Sequence, residues 1–448
     1  MKAVILAAGK GERLSQGEGK SKPKPLIPLL GLSLLERAIL SAKESGIYDF
    51  VLVVGYRSEE VVKYVEAKQK RLGVNIDFVE NEEWEKGNGL SVLKARDALK
   101  EENFVLLMCD HVFDSSILND LLAKARRNKG DKCILCVDNP ENVFDLEDAT
   151  KILLEKNKPK AIGKGVENYN AVDCGIFYCT SEMFDALEKE IGEGKYELSD
   201  AVQCLIDSDK LEVFDIGGRF WCDIDTHGSL EYAKLRMLKS LEKPTDGIIS
   251  KYINRKVSRR ITARIVNRNL TPTQITIISF LMALASATFF FLGEYKYLII
   301  GGLLAQASSI IDGCDGEVAR LKFLMTDYGA FVDSILDRYA DAIIILGLII
   351  GYCMLHGSIS VWIIGLFAVL GSFMMSYTNA RYEGVFEKTG GGRGIPVRRD
   401  MRLFIIMIGA FLNQVLGLLL LLAILTNTEV VRRVFSIKRI ITKKKNKF

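Results

Sequence analysis

The sequence predicts an α/β domain followed by an all-α domain of six transmembrane helices. Up to about Lys243, short apolar runs alternate with charged segments of helical pattern. From about Gln274 onward, apolar stretches of roughly 20 residues dominate, the length a helix needs to cross a bilayer. The mean hydropathy of +0.15, high for a chain that is 26% charged, is the average of these two unlike halves.

At roughly 150 residues per domain, 448 residues make two or three domains. Apolar residues at 49% and charged residues at 26% exclude a disordered chain, a collagen-like repeat and a small disulfide scaffold. With 60 Lys and Arg against 56 Asp and Glu, a net charge of +4 gives no argument for nucleic acid. The nine cysteines are scattered. Cys133 and Cys136 form a C-x-x-C, but KCILCVD reads as a buried strand with no second metal-ligating pair nearby, so reduced core thiols are expected. The apolar run KAVILAA is too short for a signal peptide, and the N-terminal domain is expected to stay cytoplasmic.

Along the first half, strand patterns in KAVILAA, FVLVVG, VNIDFVE, FVLLMCD and KCILCVD alternate with helices at Leu34 to Glu44, after Ser58, and from Leu90 to Leu99. Such alternation predicts parallel strand order with helices on both faces, and ligands where strand C-termini meet helix N-termini. Residues 244–273 are the junction. There Ile249, Ile253, Val257, Ile261 and Ile265 recur at helical spacing among Lys251, Arg255, Lys256, Arg259, Arg260, Arg264 and Arg268. That pattern predicts an amphipathic helix lying on an anionic cytoplasmic leaflet. Apolar spans follow at about 274–293, 297–320, 328–355 and 359–380, with 401–441 split near Asn413–Gln414 into two more. The basic loops after Arg320 and Arg381, and the tail KRIITKKKNKF, place both ends in the cytoplasm by the positive-inside rule.

In LAAGKGERL, Gly9 and Gly11 directly follow the first strand, where a missing Cβ lets backbone N–H groups approach a phosphate and Arg13 adds a fixed charge. In Lys22-Pro23-Lys24-Pro25-Leu26, prolines on both sides stiffen the segment that aims the Lys24 ammonium. Two carboxylates at strand ends, Asp110 in MCDH and Asp225 in WCDIDT, can hold Mg²⁺ at a polyphosphate. Together these motifs resemble the nucleotidyltransferases that make sugar nucleotides, with L-x-x-G-x-G-x-R-L then P-K-P-L, over about 230 residues. Within that family the sequence is most similar to CTP:inositol-1-phosphate cytidylyltransferases. The resemblance implies a Rossmann-like mixed sheet, with Gly9, Gly11 and Arg13 at the triphosphate and Lys24 at the reacting centre. It also implies that Gly87 and Asn88, in Gly87-Asn88-Gly89-Leu90-Ser91, line the nucleotide and sugar pocket, and that Tyr169 to Gly175 faces substrate. Asp110 and Asp225 would be its metal ligands, although Asp223 lies on the same strand face and either could serve. SQGEGKS in place of Pro-Leu-Thr, and Cys109 in place of a small residue, depart from the family pattern.

The membrane half carries Asp312-Gly-Cys-Asp315-Gly316-Glu-Val-Ala319-Arg320, then Gly329, Asp333 and Asp337. Asp312 and Asp315 are i, i+3 on one helix and Asp333 and Asp337 i, i+4 on the next, so each pair shares a face. Burying one Asp at a helix centre costs about 2.5–3.5 kcal/mol even on the gentlest scale, so four facing carboxylates predict a divalent-metal site. Gly316 and Gly329 leave room for a ligand or a close helix. The run matches the signature D-x-x-D-G-x-x-A-R-x8-G-x3-D-x3-D, and residues 250–440 resemble the CDP-alcohol phosphotransferases. This implies a six-helix membrane fold, often dimeric, that displaces CMP from a CDP-alcohol donor. Asp312, Asp315 and Asp333 would bind Mg²⁺ or Mn²⁺ and the CDP diphosphate. Asp337 would complete the site and act on the acceptor hydroxyl. Gly316, Ala319 and Arg320 would shape the cytidine pocket. A carboxylate near a cation is a weak base, so Asp337 would chiefly orient the hydroxyl. Thr271-Pro272-Thr273 resembles the family's T-P-N entry, and Asp341, on the Asp337 face, has no assigned role. The run from Arg381 to Arg402 offers Lys388, Arg393, Arg398 and Arg399, either to grip an acceptor phosphate or merely as positive-inside charge.

The two resemblances together imply a chain that makes and then uses a CDP-alcohol. CTP and inositol 1-phosphate would give CDP-inositol, and a second inositol 1-phosphate would then displace CMP to give a phosphorylated di-inositol phosphodiester. The family carrying this fusion makes compatible solutes in hyperthermophiles. Two other readings are a phospholipid headgroup synthase acting on a CDP-linked lipid, and an N-terminal domain that binds nucleotide without catalysis.

Overall fold

The computed structural model describes residues 1–14, 22–100, 102–128, 130–242, 246–388 and 397–445. The departure SQGEGKS and Arg393 lie outside these residues, as does the side chain of Lys388. The chain divides into two compact units, Met1–Met237 and Leu238–Phe448.

The first unit opens with β1 (Lys2–Ala7), the hairpin β2 (Pro28–Leu29) and β3 (Leu32–Ser33), α1 (Leu34–Glu44), β4 (Asp49–Val54), α2 (Ser58–Leu72) and β5 (Asn75–Glu80). Then come α3 (Asn88–Lys94), α4 (Arg96–Leu99), β6 (Phe104–Met108), β7 (His111–Phe113), α5 (Ser115–Arg127) and β8 (Cys133–Asp138). The unit closes with β9 (Lys151–Glu155), β10 (Lys158–Gly163), β11 (Ala171–Cys179), α6 (Glu182–Gly192), α7 (Leu198–Asp207), β12 (Leu211–Asp215), β13 (Trp221–Asp223) and all but the last three residues of α8 (His227–Ser240).

The main sheet runs β10-β9-β11-β6-β1-β4-β5, with β8 joining β11 to β12. Strands β5, β4, β1 and β6 are parallel, as the alternation predicts. Purely parallel order ends there, because β11 returns antiparallel to β6 and makes the sheet mixed. The helix expected at Leu90–Leu99 is two, α3 and α4, broken at Ala95. Helix α1 starts on a capping box in which Ser33 and Glu36 satisfy each other's backbone N–H groups. Apolar side chains of alternating strand positions enter two cores, one per face. Cys136 packs into one and Cys133 into the other, so the C-x-x-C points to opposite faces and cannot hold one ion.

The second unit begins with one π-helical turn, Ser250–Asn254, and continues into α9 (Arg255–Ile265). Helices α10 (Pro272–Leu292), α11 (Tyr295–Leu321), α12 (Asp327–His356), α13 (Ser360–Lys388), α14 (Arg399–Phe411) and α15 (Val415–Lys445) follow. Thr271 caps α10 in a box with Gln274, and Pro272 takes the first turn, where its missing N–H costs nothing. Among the described residues, five helices are long and apolar enough to cross a membrane: α10, α11, α12, and the 360–380 and 415–436 parts of α13 and α15. The expected break near Asn413–Gln414 separates α14 from α15, and α14 has only 13 residues. Helix α9 is more than the surface amphipath its spacing predicts. It buries a polar face, Arg255, Ser258 and Thr262, against Glu317 of α11, while Tyr252, Ile253 and Val257 stay exposed.

Candidate active sites

In the first unit the C-terminal ends of β1 and β6 open onto a cavity of about 670 Å³, lined among others by Gly9, Lys24, Asn88, Asp110, Asp173 and Asp225. Gly9 has open space where a Cβ would stand. Gly11 adopts φ +69°, and a Cβ there would lie 2.8 Å from Lys24 Cβ, so glycine is what lets the lysine segment approach the loop. The Lys24 ammonium, nearly buried, is held between the carboxylates of Asp110 and Asp225. Burial works against its charge, but Asp110, Asp223 and Asp225 outweigh it and raise its pKa above the ordinary lysine value. Burial and the neighbouring Asp223 push Asp225 up, with Lys24 opposing.

Asp223 lines the same cavity and faces His111, whose Nε2 is 3.6 Å from Asp223 and 3.9 Å from Asp110. His111 donates from Nδ1 to the Cys174 carbonyl at 2.7 Å, which fixes the tautomer and leaves Nε2 facing the carboxylates. Burial opposes the shift, yet His111 and Lys24 hold the Asp223 carboxyl at about 2. Asp110, His111 and Asp223 bring ligand atoms within 4.8 Å of one another, a set that could hold a metal ion. Sequence reading missed His111. Its signal was Gly175 in YNAVDCG, where a Cβ would stand 2.2 Å from the His111 ring.

Arg13 pairs with Asp148 at 2.6 Å and approaches Asp225 at 3.9 Å, at the edge of the cavity. Gly87 and Gly89 have a steric reason of their own: a Cβ on either would meet the Tyr196 carbonyl oxygen at 2.5 and 2.7 Å. Asn88 accepts from the Leu198 N–H at 2.7 Å, so its side-chain oxygen ties α3 to the start of α7.

In the second unit, Asp312 and Asp315 on α11 face Asp333 on α12, with carboxylate oxygens of all three within 4.8 Å. Hard oxygen donors at that separation fit a divalent cation. Thr276 of α10 donates to Asp315 at 2.5 Å and Ser279 contacts Asp312 at 3.4 Å, two orienting groups the motif does not contain. Asp337 stands apart from the trio: its Oδ1 is 2.7 Å from Arg399 Nη1, which also lies 2.8 Å from Asp312. Gly316 leaves the space beside Arg320, since a Cβ would be 3.3 Å from Arg320 Nη1. Ala319 is buried, and Nε and Nη2 of Arg320 are buried without a hydrogen-bond partner among the described residues.

The family described as MobA-like NTP transferase domain matches residues 3–194, and the CDP-alcohol phosphatidyltransferase family matches residues 269–431. The bifunctional IPC transferase and DIPP synthase of Aquifex aeolicus is 34% identical over 443 residues, covering 97% of each chain. The protein of the same description from Archaeoglobus fulgidus is 35% identical over 421 residues, 93% of this chain and 79% of that one.

The chain belongs to this family.

Like the other bifunctional IPC transferase and DIPP synthases, it is an enzyme in both halves, a cytidylyltransferase followed by a CDP-alcohol phosphotransferase. Among solved structures, the inositol-1-phosphate CTP transferase from T. maritima covers 52% of this chain and 96% of its own at 28% identity, with a TM-score of 0.46. Both parent families use divalent metals, and the acidic clusters of the two units are the potential ligands in this bifunctional chain.

Proposed function

We propose that the first unit joins CTP and inositol 1-phosphate into CDP-inositol and diphosphate, and that the second transfers phosphoinositol from CDP-inositol to another inositol 1-phosphate, releasing CMP. The observation that carries this reading is the presence of two separate carboxylate sites in a chain similar from end to end to bifunctional relatives.

In the first reaction a phosphate oxygen of inositol 1-phosphate attacks the α-phosphorus of CTP in line, and diphosphate leaves. Backbone around Gly9 and Gly11, with Arg13, receives the triphosphate, and Lys24 offsets charge where the bond changes. Asp110 with Asp225 or Asp223 would hold Mg²⁺ or Mn²⁺, which would supply charge neutralisation. Gly87 and Asn88 shape the nucleotide and sugar pocket.

In the second reaction the acceptor hydroxyl attacks the phosphorus that bears inositol, and CMP leaves. Asp312, Asp315 and Asp333, with Asp337 beside them, would hold the metal, which would supply the positive charge that binds the donor diphosphate. Asp337 orients the acceptor hydroxyl. Gly316, Ala319 and Arg320 take the cytidine. Arg399 meets the acceptor phosphate, and Lys388 and Arg393 belong to the same basic run. The domains run 1–243, 244–273 and 274–448. The N-terminal domain and tail lie in the cytoplasm, and the membrane domain forms a homodimer in the bilayer.

Phosphorus NMR of membranes given CTP, inositol 1-phosphate and Mg²⁺ tests this, with Asp337→Asn alongside. Wild type should give a water-soluble phosphodiester, and the variant should stop at CDP-inositol. A lipid-extractable product, or no CDP-inositol while supplied CDP-alcohols are still consumed, would overturn the reading.

A further inference from the structure

Asp341 lies one turn beyond Asp337 on α12, but its oxygens are spent on protein donors. It is 5% exposed. Oδ2 accepts from Arg402 Nη2 at 2.5 Å and from Ser372 of α13 at 3.0 Å, and Oδ1 accepts from Arg399 Nε at 3.3 Å. Arg402 is itself 5% exposed and donates from Nη1 to the Val397 carbonyl at 3.4 Å. So two arginines one turn apart on α14 converge on one carboxylate, and only one of them continues. Arg399 Nη1 reaches Asp312 at 2.8 Å and Asp337 at 2.7 Å.

A guanidinium is planar, so anchoring its Nε edge sets the plane in which the remaining N–H groups point. A carboxylate paired with Arg402 alone would be a helix lock. The Nε contact adds a second consequence, because it decides where the free end of Arg399 stands relative to the carboxylates on α11 and α12.

We infer that Asp341 is a positioning residue for the acceptor end of the membrane site. Braced by Arg402 and Ser372, it holds the Arg399 guanidinium in register with Asp337, and through it sets selectivity for a phosphorylated over an unphosphorylated inositol. The inference rests on the assignment of Arg399 to the acceptor phosphate.

The test uses the full chain in detergent or membranes, with CDP-inositol supplied and either inositol 1-phosphate or inositol as acceptor. In Asp341→Asn, KM for inositol 1-phosphate should rise about ten- to a hundredfold, and the preference for it over inositol should fall in step. KM for CDP-inositol should stay unchanged. Ser372→Ala, which removes one brace and leaves both arginines paired, should move the same two quantities less. The unchanged KM for CDP-inositol in the transfer reaction serves as the control that the membrane unit of each variant is intact. In an Arg399→Lys background, Asp341→Asn should add nothing, because the residue acts through Arg399.

If Arg399→Lys changes acceptor KM and selectivity while Asp341→Asn and Ser372→Ala do not, Asp341 is only a helix lock and the inference fails. If Arg399→Lys leaves acceptor selectivity untouched, the assignment of Arg399 fails and takes the inference with it. If Asp341→Asn does not fold, Ser372→Ala decides: an unchanged acceptor preference overturns the inference.

Discussion

Arg255 on α9 lies 2.8 Å from Glu317 on α11, and the Glu317 side chain is fully buried. Ser258 and Thr262, each at 2.6 Å, complete three donors from one face of α9 onto that single carboxylate. Arg255 is also paired with Asp246 at 2.9 and 3.0 Å, so removing Glu317 leaves its charge compensated but strips the buried Ser258 and Thr262 hydroxyls of their shared acceptor, at about 1–3 kcal/mol for each buried group. Glu317→Ala should therefore lower the thermal midpoint of the second unit in detergent by about 10 °C. Reaction of the buried Cys314 thiol, whose Sγ is 3.6 Å from the Ser258 carbonyl, with a maleimide should speed up accordingly. An unchanged midpoint and labelling rate would mean that α9 is held by something else.

Lys24 is the shared counter-ion of Asp110 and Asp225. Lys24→Ala should reduce CDP-inositol formation by about 10²–10³, the usual loss for a preorganised group at developing charge. Transfer from supplied CDP-inositol should persist. Measuring the two half-reactions separately decides it.

Gly11 combines a left-handed backbone with a Cβ position 2.8 Å from Lys24. Gly11→Ala should cost about 1–2 kcal/mol from backbone strain and displace Lys24 as well. The expected signature is a raised KM for CTP with acceptor kinetics of the second unit unaltered, read from initial rates.

The two carboxylate clusters predict that a chelator stops both half-reactions and that added Mg²⁺ or Mn²⁺ restores them. Asp315→Asn should lower only the second, by about a hundredfold or more. Persistence of either reaction after exhaustive chelation would argue that its acidic cluster is structural.

Glu36 gives a pH dependence. Burial pushes its carboxyl up, but the Ser33 N–H, Tyr64 and Lys68 outweigh burial and hold it below the usual 4.5. A depressed carboxyl contributes stability that is present above pH 4.5 and is lost as pH falls through the lower folded value. In a Trp362→Phe background, fluorescence of Trp84 and Trp221 follows unfolding of the first unit. Wild type should lose stability toward low pH more steeply than Glu36→Gln; parallel curves would count against the assignment.

Periodicity alone located most elements, because apolar side chains must enter a core or a bilayer at the spacing their backbone imposes. The spans at 297–320 and 328–355 fall within α11 and α12, and the break near Asn413 is real. What period cannot carry is partner choice. The spacing of Arg255, Ser258 and Thr262 shows a polar face, yet only the fold reveals Glu317 beneath it. Likewise the motif names four aspartates, whereas Arg399 standing between Asp312 and Asp337 depends on a helix sixty residues away. His111 escaped notice because its role follows from a strand pairing, β13 with β7, that brings Asp223 opposite it.

Helix α14 has 13 residues. At 1.5 Å per residue it reaches about 20 Å, against a hydrocarbon layer of about 30 Å. Were α14 to cross beside lipid, the bilayer there would have to thin, at an elastic cost that grows with acyl-chain length. Bilayer thickness would then be a variable of the enzyme: reconstitution into short-chain lipid should favour the packing that seats Arg399 and Arg402, and long-chain lipid should work against it.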